Sequence, residues 1–254
     1  ANTTNGFKSA KLSPFVCRLK NGEYSFRMKK YTIEKFYLEP HAIHGLIFDA
    51  FFTIIDSFAN EENATVVLQH NYLGTDKGYP FNYTTIVTWK LLANCSLTVT
   101  TTVSHKNNDA IPFADGWHPY FTLGETIDDC ILQLDSREQL EFDETLLPTK
   151  FIVRDERFVH GSLLKNVSLD NCFLLTNPGK SVCTLKNNEL QLTIVPDASY
   201  PFLQVYTPSH RKSIAIENLS AAPNAFNNNL GLVFLEPNKE YHFTTKYSAR
   251  SLHD

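Results

Sequence analysis

The sequence predicts a single all-β domain spanning residues 1–254, built as a large antiparallel β-sandwich. Three observations carry that expectation. Apolar residues recur at every second position through several segments. Turn-forming clusters punctuate the chain at intervals of roughly a dozen residues. No segment keeps a helical repeat for more than about two turns.

The strands are legible one by one. In TTIVTWKLL, Val87, Trp89 and Leu91 fall on one face, and in LTVTTTV so do Leu97, Val99 and Val103, with threonines between them. ELQLTIV alternates at Leu190, Leu192 and Ile194, and KEYHFTTKYS at Tyr241, Phe243 and Tyr247. β-Branched and aromatic side chains suit a half-buried pleated surface. Lys20-Asn21-Gly22, Thr75-Asp76-Lys77-Gly78, Lys106-Asn107-Asn108-Asp109, Asn177-Pro178-Gly179 and Lys186-Asn187-Asn188 supply the turns. Such spacing implies on the order of twenty strands. The best helical candidate, Ser136 to Phe142, is short. No linker, repeat or shift in composition divides the chain, so one domain is expected.

Composition narrows the function. Charged residues make up 20%, hydrophobic residues 43%, and the formal net charge is -4. That balance predicts neither a nucleic-acid partner nor an anionic membrane surface. No apolar run approaches the roughly 18 residues that cross a bilayer, so a soluble protein is expected. A phosphate-cradling glycine loop is also missing, which argues against a nucleotide enzyme. The five cysteines (Cys17, Cys95, Cys130, Cys172, Cys183) are odd in number and form no CxxC pair. They predict neither a disulfide framework nor a zinc site but buried thiols in a reducing compartment. Asn2, Asn63, Asn82, Asn94, Asn166 and Asn218 each open an N-x-S/T triplet, which matters only in a secreted protein. No leader is expected and a cytoplasmic location follows, although the sequence opens on Ala1 rather than Met.

Five titrating or charged groups sit in segments that otherwise read as buried. His118 lies in GWHPYF, between a tryptophan and a proline. His44 lies in AIHG, where the following glycine removes bulk at a close approach. Glu217 ends the apolar run of SIAIENL, Asp170 begins that of VSLDNCFLL, and Arg18 stands just before the turn in SPFVCRLKNG. Each has a plainer reading as a hydrogen-bonded core group, a turn cap or, for Arg18 and Asp170, an ion pair. His41 and His44 do not make a metal pair, because positions three apart on a strand face opposite sides.

Taken together, these segments resemble the aldose 1-epimerase (galactose mutarotase) family. LSPFVCRLKNGEYSF, HAIHGLIFD, GTDKGYPFNY, DGWHPYFTLG, SLDNCFLL and AIENLSAAPNAFNNNLGLVFLEPNKEYHF follow in the family's order, from about Phe7 to Tyr247. The resemblance implies the family's antiparallel supersandwich and the exchange of α and β anomers of a free aldohexose. It implies no metal or organic cofactor, a small-molecule sugar as the partner, and a monomer or homodimer. It makes Glu217 the general base, His118 the general acid, and Arg18, His44 and Asp170 ligands to the sugar. Two features depart from the pattern. Cys17 stands where the family has asparagine, and only seventeen residues precede Arg18 where relatives carry several strands. Either the chain has lost those strands or the sequence begins after them.

The chemistry suits these groups. Opening a hemiacetal ring removes a proton from the C1 hydroxyl while another arrives at the ring oxygen, tasks for a carboxylate and an imidazolium. Trp117 is expected to be core, and Tyr120 is a candidate for packing on the sugar ring. A phosphorylated hexose would need a cationic cluster, for which Arg211 and Lys212 are the nearest basic pair. A non-catalytic sugar-binding or sugar-sensing sandwich is the alternative from another class.

Overall fold

The computed structural model describes residues 5–180 and 182–253. Among these it is almost entirely β, with 24 strands and a single α-helical turn, Ala225–Asn228. Two antiparallel sheets form the body. The larger has nine strands and is built around Tyr241–Ser251, which pairs with Leu190–Pro196 on one side and Ser96–Ser104 on the other. The second runs in the order Ala10–Leu12, Gly116–His118, Ile214–Leu219, Phe202–Tyr206, Asp170–Leu175, Ser136–Phe142, Pro148–Arg154.

Alternation explains how the second sheet serves two purposes. Ile214, Ile216, Leu203, Val205, Phe173 and Leu175 point inward and pack on Leu132, Leu134, Leu185 and Ile194 of the larger sheet. Side chains one position along must therefore point the opposite way. On that outer face Leu219, Phe202 and Cys172 meet Leu12, Val16, Cys17 and Phe48, which lie on the N-terminal strands and loops. The strand Ile214–Leu219 is buried along its whole length because both of its faces are covered.

Sequence expectations met the structure unevenly. Val87, Val99, Val103, Ile194 and Phe243 are buried as their alternation predicts, but the face that begins at Val87 runs out into solvent at Leu91. Ser136–Phe142 is a strand, not a helix: it pairs with Pro148–Arg154 and Asp170–Leu175, and this tertiary pairing overrides the helical propensity of its Glu and Gln. Four cysteines are buried, whereas Cys95 is exposed at a hairpin tip with φ 58°. The close approach expected at Gly45 is real and involves the chain itself. A Cβ there would lie 2.2 Å from the Ser13 carbonyl oxygen, and φ is 77°.

The segment carrying His118 is tied down by a buried polar knot. Lys11 donates to Asp115 and to the carbonyl of Gly116, Tyr200 donates to Asp115 at 2.6 Å, and the Ser220 hydroxyl accepts from the Asp115 backbone N–H at 2.8 Å. Burial pushes the Asp115 carboxyl up and the Lys11 ammonium down, and their mutual attraction opposes both shifts. Replacing Lys11 by methionine would strand the Asp115 carboxylate, which is fully buried. Urea denaturation of Lys11→Met is expected to show a loss of about 3–5 kcal/mol. A loss below about 1 kcal/mol would mean that the knot does not hold the strands together.

Candidate active site

Strand register builds the site. Gly116 lies opposite Leu219 and Tyr120 opposite Ala215, which brings His118 level with Glu217. On the other side of Glu217 stands Gln204, and beyond Gln204 stands Cys172. The neighbouring row, two residues along, runs from Tyr120 through Ala215 and Tyr206 to Asp170. Period two then places all of these polar groups on the outer face of the sheet.

Arg18 and His44 come from the layer above. Arg18 pairs with Ile43 in a small sheet, and the pairing continues one step further, where the His44 N–H donates to the Cys17 carbonyl at 2.9 Å. His44 lies just beyond its strand in a left-handed conformation, φ 63°, stabilised by Gly45 against Ser13. The helical turn at Ala225–Asn228 closes the arrangement. The Asn224 N–H donates to the Arg18 carbonyl at 2.7 Å, and the Asn224 side chain accepts from the Lys20 N–H at 3.0 Å.

The result is a pocket of about 250 Å³. Arg18, His44, His118, Asp170 and Glu217 all line it, so the five residues singled out in the sequence are brought together. Glu217 Oε1 and His118 Nε2 are 3.3 Å apart, with the two side chains only 2% and 7% exposed. The His44 ring meets the His118 ring edge-on at 5.1 Å, and Tyr120 stacks on His118 at 5.0 Å. Phe7 packs edge-on against His44 at 4.5 Å. Asp170 does not pair with Arg18 as the plainer reading had it. Its carboxylate accepts from Gln204 Nε2 at 2.6 Å.

Gln204 is the residue that sequence reasoning missed. It is the one amide in the apolar run FLQVY, and that polar interruption of a buried strand was the available signal. Its Oε1, together with Glu217 Oε2, His44 Nδ1 and His118 Nδ1, is buried without a hydrogen-bond partner among the described residues. Buried polar atoms are ordinarily satisfied, so four such atoms on residues lining one cavity point to a polar guest. Trp117 projects to the opposite side from His118, under Lys11 and against Trp89, where it is half-buried and packs against the core. His41 accepts from the Asn21 N–H and takes no part in the pocket. The metal-type atoms that do converge are different: Cys17, His44 and Glu217 each offer one, all within 4.8 Å of one another. Arg211 is engaged elsewhere, donating to Asp128 and to the carbonyls of Leu164 and Val167, so it offers no phosphate a cation here.

Burial dominates the electrostatics. It pushes the Glu217 carboxyl well above its ordinary range, helped by the nearby Asp170 and opposed by Arg18. Asp170 is raised by burial and lowered by Arg18 and Gln204, with burial the larger effect. Burial lowers His118 to about 4, and it lowers His44 well below its ordinary value with His118 and Arg18 adding to the effect.

Comparison with known proteins agrees with this architecture. Residues 2–248 match the family described as Aldose 1-epimerase. The chain belongs to the aldose 1-epimerase family. A relative from Escherichia coli (strain K12), the uncharacterized protein YihR, is 28% identical over 240 residues, covering 91% of this chain and 75% of its own. Among solved structures, the GalM/aldose epimerase homologue from C. elegans superposes with a TM-score of 0.82 at 21% identity, covering 98% of this chain and 84% of its own. Galactose 1-epimerase from Lactobacillus acidophilus NCFM does so with 0.83 at 20%, covering 98% and 81%. At these identities the likeness establishes the galactose mutarotase-like fold.

The shifted histidine sets a pH dependence. Unfolded, His118 titrates near 6.5, and folded at about 4, so between those values only the unfolded chain gains its proton. Stability from this group is therefore lost as pH falls from about 6.5 to about 4. Glu217 and Asp170, raised on folding, act in the opposite sense, losing stability as pH rises past the ordinary carboxylate range. Over that acid interval wild type is expected to lose about 1–3 kcal/mol more than His118→Asn in urea titrations. Parallel losses in the two proteins would contradict the buried, neutral imidazole.

Proposed function

We propose that this protein is a mutarotase, interconverting the α and β anomers of a free aldohexose by acid–base opening and reclosure of the ring. The observation that supports this most strongly is the buried approach of Glu217 to His118, 3.3 Å apart on the wall of a polar pocket. Membership of the family supports an epimerase in the coarse sense. The choice of free sugar is supported by Arg18, the single guanidinium lining the pocket among the described residues, with the carboxyl groups of Asp170 and Glu217 in the same lining. A phosphate at the sugar's 6-position would meet repulsion from those carboxylates with little cationic compensation.

In this reading Glu217 takes the proton of the C1 hydroxyl while His118 donates to the ring oxygen. The aldehyde turns about its C1–C2 bond, and both proton transfers reverse on the other face of C1. Only one proton need be stored in the pair. The reactive form is carboxylate with imidazolium, and the ring-opened form is carboxylic acid with neutral imidazole. Burial favours the second distribution, because it penalises either charge alone. The low-dielectric wall thus stabilises the proton arrangement of the ring-opened state, while Arg18 holds the carboxylate form within reach. Asp170, fixed by Gln204, and Arg18 would orient the sugar hydroxyls, and His44 would supply a further polar contact. Acid and base assistance are each worth about 10²–10⁴ in rate, enough for a reaction that already proceeds unaided in water.

Polarimetry of freshly dissolved α-glucose and α-galactose is the direct test, and wild-type protein is expected to accelerate the drift to equilibrium. Glu217→Gln and His118→Asn are each expected to cut turnover by about 10²–10⁴. Sugar binding without acceleration would instead identify a non-catalytic carbohydrate-binding sandwich. Faster turnover of glucose 6-phosphate than of glucose would overturn the free-sugar assignment.

A further inference from the structure

Cys17 stands at a place where its chemistry is unusual. The residue is 6% exposed, lines the pocket, and is held in a left-handed conformation at φ 47°. A residue with a Cβ seldom occupies that region unless it is asparagine or aspartate. What holds it is the bond from the His44 N–H to the Cys17 carbonyl, 2.9 Å, which continues the Arg18–Ile43 pairing by one step. Cys17 and His44 are therefore direct cross-strand neighbours, both lining the same cavity. Glu217 reaches them from the sheet below, so that a sulfur, an imidazole nitrogen and a carboxylate oxygen lie within 4.8 Å of one another. Two of the three side chains carry a buried atom with no hydrogen-bond partner, His44 Nδ1 and Glu217 Oε2.

We propose that Cys17, His44 and Glu217 form a three-ligand site for a borderline-soft divalent cation such as Zn²⁺, which when bound blocks the sugar site. Thiolate with imidazole selects such an ion over Mg²⁺ or Ca²⁺, which prefer all-oxygen shells. A tetrahedral Zn²⁺ separates its ligand atoms by about 3.3–3.7 Å, so atoms that lie within 4.8 Å of one another need draw together only slightly on binding. Three protein ligands leave a fourth position for water. Binding displaces the thiol proton of Cys17 and any proton held by the Glu217 carboxyl, both of which leave to solvent, and brings no change of oxidation state. The blocking clause rests on the mutarotase reading, because it is the proposed base, Glu217, that the cation takes. The binding clause does not.

The test is a titration of the purified protein with Co²⁺, followed by the thiolate-to-metal absorption in the near ultraviolet and by displacement with Zn²⁺. The band is expected to saturate at one equivalent, to persist in Cys95→Ser, which removes the exposed thiol, and to vanish in Cys17→Asn. Asparagine tolerates the left-handed backbone, and a melting curve checks that this variant folds. His44→Gln is a second variant, expected to weaken Co²⁺ roughly tenfold or more while keeping a thiolate band. No band, a band that survives Cys17→Asn, or one lost in Cys95→Ser would overturn the site. Polarimetry separates the two clauses. Zn²⁺ is expected to slow anomer exchange in wild type, with added galactose raising the concentration required, and to do so far less in Cys17→Asn. A Co²⁺ band in a protein without mutarotase activity would keep the site and remove the function. Activity unaffected by saturating Zn²⁺ would overturn the blocking clause.

Discussion

The site depends on one constraint, the antiparallel register between Gly116–Phe121 and Ile214–Leu219. Because side chains alternate along a strand, a slip of one residue would turn the slipped strand's partner of the pair away from the pocket. Register is held here from both faces. Ile214 and Ile216 are locked into the inter-sheet core, and Leu219 packs with Leu12 and Val16 on the other side. Gly116, at the start of the segment, has no room for a side chain, since a Cβ would lie 2.8 Å from a Leu219 methyl. The Asp115 knot then fixes where the segment begins. Packing that has nothing to do with sugar chemistry thus brings an imidazole within 3.3 Å of a carboxylate.

The same burial that fixes the pair also sets its electrostatics. A carboxyl raised and an imidazole lowered have both moved toward their neutral forms. For an isolated surface pair that would be a loss of reactivity. In the proposed reaction, where the pair exchanges one proton through the sugar, the same burial favours carboxylic acid with neutral imidazole, the arrangement that ring opening produces. Arg18 opposes burial at both Glu217 and Asp170, with burial the larger effect at each.

Much of this was legible in the residues, for a physical reason. Titrating groups interrupting apolar strands are costly unless something uses them, and His118, Glu217 and Asp170 are interruptions of that kind. His44 was legible through Gly45, though the glycine makes room for Ser13, not for a guest. Gln204 was passed over because a neutral amide in a strand carries no charge to explain; its importance lies in its cross-strand neighbours, which a linear reading does not supply. Ser136–Phe142 was read as the best helical stretch because its Glu and Gln favour helix, and only its pairing partners on both sides make it a strand. Arg211 looked available for a phosphate until the fold placed Asp128 beside it. Each shortfall concerns a long-range contact, and each success a local violation of a local pattern.

Cys17 falls between those two classes. Its backbone angle and its neighbours are invisible in the sequence, yet the family resemblance, which implies asparagine at this position, marks the cysteine as a departure. Asparagine would take the same left-handed backbone with less strain and would add an amide to a pocket rich in polar groups. Cysteine does neither. It is held in that conformation by the pairing with His44, and burial with Glu217 beside it raises its thiol well above the ordinary range, so a bare thiolate is disfavoured there. A buried sulfur under those conditions is inert toward ordinary oxidants and electrophiles, which react with the thiolate. A cation that supplies the missing positive charge reverses that balance, because it stabilises the sulfur and the Glu217 carboxylate together. That makes a metal ion, more than a covalent modifier, the agent to which this pocket is sensitive.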